Sequence, residues 1–172
     1  MKTAKITATA LLLSVSFILS LLEGYVPLTL VPGLKLGFAN IAVTTAVYML
    51  GMRWAFLIVV LRPILSLLLF GNFTSFVLSL CGGIIAFASV CATKKLYGKV
   101  CSFCGISVIS AVCHSIGQIV AAIFVVSDSA VLSYLPLLCA ASSVTGFITG
   151  CVMNSVIPRI IKYGASRYEF KA

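Results

Sequence analysis

Acidic residues are almost missing from this chain. Of 172 residues only Glu23, Asp128 and Glu169 are acidic, against 12 Lys and Arg, and charged residues of both signs amount to 9%. A soluble domain carries roughly 25% charged residues. With 62% hydrophobic residues there is too little polar surface to cover a water-soluble fold, and that class is excluded. Histidine occurs once, as His114, so no H-E-x-x-H zinc motif exists; a G-x-x-x-x-G-K-[ST] loop for ATP and a G-x-S-x-G nucleophile elbow are also missing. No catalytic centre, metal or cofactor is therefore expected, and any energy from ATP must come from another protein.

The seven cysteines include one C-x-x-C, Cys101 to Cys104, with no second pair and no histidine at zinc-finger spacing. They read as small apolar residues in membrane helices. Lys2 and Lys5 precede an apolar run, the pattern of a signal peptide. That run continues from about Ala8 to Leu22 and ends in Glu23 without a small-residue cleavage site, so it is expected to be a permanent span.

Apolar runs lie at about 4–22, 36–52, 54–70, 73–93, 103–126 and 131–157. A helix needs about 20 such residues to cross a bilayer core of about 30 Å. The runs are continuous and not alternating, which disfavours a membrane barrel, and a helix satisfies its own backbone in lipid. The sequence thus predicts an all-α membrane protein: one transmembrane domain over 1–172, a bundle of six transmembrane helices.

Basic residues fall in every second connection: Lys2 and Lys5, Arg53, then Lys94, Lys95 and Lys99, then Arg159, Lys162, Arg167 and Lys171. The other connections hold only Lys35 as a clear basic group. The positive-inside rule then places both termini in the cytoplasm of a multi-pass protein of the cell (plasma) membrane. The net charge of +9 is assigned to membrane lipid headgroups and not to nucleic acid.

Ionisable groups inside spans are costly and therefore informative. Two stand there, Arg62 in the third run and His114 in the fifth. Ser107, Ala111, His114 and Gln118 follow steps of four, three and four, a small polar stripe along the fifth helix. The stripe either lines a cavity or packs on a neighbouring helix. The segment from Pro32 through Lys35 and Gly37 to Asn40 leads into the second helix from the outer side. Free N–H groups of that helix start, its dipole and Lys35 together suit an anion, with Asn40 about one turn deeper; the alternative for Lys35 is a headgroup contact. Glu23 has three open partners: Arg62, Lys35 or a cationic part of a ligand. Asn72 reads as a turn residue. Lys35, Asn40, Arg62, His114 and Gln118 are expected to converge on one cavity opening outward between helices two, three and five. Ala4 and Ala8 on the first helix, and Ser142, Gly146, Gly150 and Asn154 on the sixth, are small-residue patterns of the kind that lets helices pack closely; the second reads as packing within the bundle.

The Pro32 to Asn40 segment, Arg62 followed by Gly71, and His114-Ser115-Ile116-Gly117-Gln118 resemble the Gx transporter family, also labelled heptaprenyl diphosphate synthase component I. The family motif has Asn after the His, where this sequence has Ser115. That family in turn is similar to the substrate-binding S components of energy-coupling-factor transporters. The resemblance implies a six-helix fold with an outer pocket for a small-molecule solute, closed by the loop after helix one. It also implies a transmembrane coupling protein driven by two ATPase subunits, which Ala4 and Ala8 would meet. The competing label implies an accessory subunit of prenyl diphosphate synthesis. It cannot be the catalytic one, because magnesium diphosphate needs clustered carboxylates and Asp128 is the only Asp.

Overall fold

The structure, a computed structural model, describes residues 2–24, 37–94 and 102–168. Helices dominate it, and their ends fall where the sequence supplies caps. Helix α1 runs Lys2–Gly24, α2 Asn40–Met49, α3 Met52–Phe70, α4 Phe73–Thr93, α5 Phe103–Val126 and α6 Leu135–Tyr168. Gly71 closes α3 in the left-handed region at φ 65°, donating its N–H to the Leu67 carbonyl. Asn72, as its turn role required, opens α4 by accepting the Ser75 N–H at 2.9 Å. Ser102 opens α5 in the same way. Asp128 opens a short 3-10 turn, Ser129–Tyr134, that leads into α6.

Five helices are long and apolar enough to cross a membrane. Their outer faces carry Leu11, Leu68, Phe73, Phe124, Val144 and Phe147, each more than half exposed. Such a surface is unstable in water and suits acyl chains, so the chain is a multi-pass membrane protein. The second helix departs from the expected span. The apolar run 36–52 predicts a crossing, but α2 has 10 residues, about 15 Å at 1.5 Å per residue, or half the hydrocarbon core. Backbone geometry shortens it at both ends: Gly37 has φ 93° and Gly51 φ 96°, conformations closed to most L-residues and incompatible with helix.

This half-length helix is nonetheless central. It touches α1, α3, α4, α5 and α6, and Ala42, Val43, Ala46 and Val47 are buried. Val43, Ala46 and Val47 form a core with Ala55, Ile58 and Val59 of α3, Val90 of α4 and Ile106 of α5. The longest packed seams run between α5 and its two neighbours, α4 and α6. On α6 the Ser142, Gly146 and Gly150 stripe faces α5. Ser142 hydrogen-bonds Ser115, a Cβ at Gly146 would lie 2.8 Å from Val108 Cα, and one at Gly150 would run into Cys104 Cα. Asn154, the fourth member of that pattern, is exposed.

Candidate functional site

Four helices deliver buried polar side chains to one centre. Glu23 (α1), Asn40 (α2), Arg62 (α3), and His114 and Gln118 (α5) are each no more than 5% exposed. Two adjacent glycines, Gly82 and Gly83 of α4, join them. A Cβ at Gly82 would stand 2.8 Å from Gln118 Cγ and 2.9 Å from His114 Cε1 and Nδ1, while one at Gly83 would stand 3.7 Å from Arg62 Nη2. His114 and Gln118 thus lie over one glycine and the Arg62 guanidinium beside the next.

The opposite side of the ring is made by the start of α2. A Cβ at Gly37 would sit 3.1 Å from Asn40 Nδ2 and 3.5 Å from His114 Cδ2. The Ala39 N–H donates to Glu23 Oε1 at 3.3 Å, Ser16 donates to the Ala39 carbonyl at 3.2 Å, and Glu23 is the charge that Arg62 feels. Contacts therefore run from Arg62 by Gly83 and Gly82 to His114, on to Gly37 and Asn40, and through Ala39 to Glu23, whose charge closes the circuit on Arg62.

His114 is residue 12 of the 24 in α5. The start of α2 consequently lies near the middle of the bundle, and α2 fills one half of its depth. Irregular backbone at membrane depth is tolerated where it is buried in protein or lines a polar site. Broken and half-length helices that aim their positive ends at a midplane site serve this purpose in transporters.

Among the described residues, Asn40 Oδ1 and Nδ2 and Arg62 Nε and Nη1 are buried without a hydrogen-bond partner. An unmet buried group costs on the order of 1–3 kcal/mol. Here the donors and the acceptor belong to one centre. Their chemistry suits a small polar solute that offers oxygens to Arg62 and an acceptor and donor to the Asn40 amide.

The structure brings Glu23, Asn40, Arg62, His114 and Gln118 together. Lys35, like Pro32 and the rest of the loop before Gly37, lies outside the described residues. The anion expected at the α2 start is at least partly supplied by the protein itself, because Glu23 takes the Ala39 N–H. The α5 stripe divides. Ser107 bonds Thr149 of α6 at 2.8 Å and Ala111 meets Gly146, whereas His114 and Gln118 face α4. Ser115, which stands where the family motif has Asn, turns to Ser142 and packing. Ala4 is half-buried, and Ala8 packs on the core formed by α2 and α3, while Ile6, Leu11 and Ile18 point outward. Sequence reasoning missed Gly82 and Gly83. A Gly-Gly pair amid apolar residues was the visible signal, since it marks close approach.

The family model for heptaprenyl diphosphate synthase component I matches residues 12–156. That stretch takes in every residue of the circuit. No curated protein and no solved structure matches the chain.

Proposed function

The chain belongs to the heptaprenyl diphosphate synthase component I family, and from that premise we propose that it is the solute-binding membrane subunit of a transporter. The observation that carries this reading is the convergence of buried, incompletely bonded Asn40 and Arg62 atoms on one centre built by five helices. A subunit that only joined other subunits would gain nothing from polar groups at that depth, where an arginine costs on the order of 3 kcal/mol in lipid. The solute is small and polar or anionic, with Arg62, Asn40, His114 and Gln118 as contacts and Lys35 at the mouth. Glu23 balances Arg62 and fixes the α2 start. With no nucleotide-binding loop in the sequence, drive comes from a transmembrane coupling protein with two ATPase subunits, and both termini are cytoplasmic.

The family's description supports a second reading, a non-catalytic accessory subunit of heptaprenyl diphosphate synthase. The two separate experimentally. Gently purified protein should retain a small polar molecule detectable by mass spectrometry, and Arg62→Lys, which keeps the charge but loses the planar fork, should retain less than a tenth as much. Failure to retain any solute, together with stimulation of a reconstituted prenyl diphosphate synthase, would replace the first reading with the second.

A further inference from the structure

We propose that Cys104 and Cys151 form a redox modification site, a thiol pair that closes to a disulfide and staples α5 to α6. The two sulfurs already touch, at 3.6 Å across a sequence separation of 47. The backbones are held together beneath them. A Cβ at Gly150 would collide with Cys104 Cα and lie 3.1 Å from Cys104 N and Phe103 O, so this seam closes only around glycine. Its register is fixed one turn further along by the Ser107 to Thr149 hydrogen bond at 2.8 Å and beyond that by Ser115 and Ser142. A disulfide places its sulfurs roughly 2.05 Å apart; the remaining gap of roughly 1.5 Å is within reach of χ1 rotation at two side chains.

Position favours reaction as well as geometry. Cys104 is the second residue of α5, close to exposed Ser102, so a small oxidant reaches its sulfur from the end of the bundle, and the Cys151 sulfur lies against it. The step is thiol–disulfide exchange with a low-molecular-weight disulfide. One cysteine thiolate attacks that disulfide, forming a mixed disulfide and expelling one small thiolate. The second cysteine thiolate attacks the protein-bound sulfur, the Cys104–Cys151 bond forms, and the other small thiolate leaves. Two protein thiols are oxidised, one small disulfide is reduced to two thiols, and the two protons pass to them. The closed bond pins α5, which carries His114 and Gln118 on its other face, to α6. It also cross-links the denatured chain across a long loop, which raises stability.

The test uses the full chain in detergent, reduced and then exposed to oxidised glutathione, with free thiols alkylated by N-ethylmaleimide and counted by intact mass. The reduced chain has seven thiols to alkylate, and the oxidised chain should show two fewer, with peptide mapping linking Cys104 to Cys151. C101S should still lose two, whereas C104S and C151S should lose none. The melting temperature should rise on oxidation, fall back with dithiothreitol, and stay unchanged in C151S. Three results overturn the proposal: seven alkylated thiols after oxidation, a stable mixed disulfide with glutathione, or a bond mapped to any other pair of cysteines, Cys101–Cys104 included.

Discussion

Arg62 and His114 were legible in the sequence because charge inside an apolar run has no bland explanation in lipid. Gly82 and Gly83 were not, since glycine carries no chemistry and its effect lies in what approaches it. Gly82→Ala puts a methyl 2.8–2.9 Å from Gln118 and the rigid His114 ring, an overpacking that costs about 1–3 kcal/mol. Gly83→Ala meets Val59 Cγ1 at 3.2 Å, a side chain able to yield. Thermal unfolding of the purified variants should therefore show a loss of several degrees for Gly82→Ala and a smaller one for Gly83→Ala, and solute retention should fall with the first. Equal melting temperatures would remove Gly82 from the floor of the site. Asn40 separates binding from folding. Its amide is buried without partners among the described residues, and replacing such a group by an apolar one of similar shape is nearly neutral or stabilising. Asn40→Leu should keep or raise the melting temperature while abolishing solute retention. A large drop in stability with retention intact would make Asn40 a structural residue.

At the scale of elements, the long helices follow the apolar runs closely, and α2 is the instructive exception. Hydropathy counts side chains, and those from Leu36 to Met52 are apolar enough for a span; positive φ at Gly37 and Gly51 is a backbone property that the count does not contain. The resulting half-helix is charged correctly at both ends. Glu23 of α1 meets its N-terminus. At the other end Lys94, the residue after α4, donates to the Val47 carbonyl at 3.2 Å and sits 5.6 Å from the Tyr48 ring centroid. A negative group at the start and a positive group at the end are what a helix dipole favours, each worth about 0.3–1 kcal/mol, and the cation over the ring adds about 0.5–1 kcal/mol. Lys94→Met should lower the melting temperature by a few degrees and Lys94→Arg by less. Glu23→Gln should cost more than Lys94→Met, because it leaves the buried Arg62 charge uncompensated. The reverse order would mean that Arg62 does not depend on Glu23.

For the whole molecule, the decisive property is which end carries which charge. Contacts between helices sort the ends without reference to a membrane. The end of α2 at Tyr48 gathers Phe103, the start of α5, with Met153 and Ile157 of late α6, and Lys94, the residue after α4. Leu12, Leu13 and Ala8, from the first half of α1, pack on the core that reaches Val47 and Leu50 at this end. Lys5, Arg53, Lys94 and Arg159 therefore share it. The opposite half holds Glu23, at the depth of the α2 start, and its end holds Asp128, between α5 and the 3-10 turn. The alternation of basic connections in the sequence is thus also a segregation in space, and moving four basic groups to the outer face would oppose the strongest known determinant of orientation. We expect a single cysteine introduced at Asp128, in a background with the native cysteines replaced, to react with a membrane-impermeant maleimide added to intact cells. One at Arg53 should react only after the cells are opened. Labelling of position 53 but not position 128 in intact cells would turn the molecule over, place the Asp128 end in the cytoplasm, and reverse the side from which the solute enters.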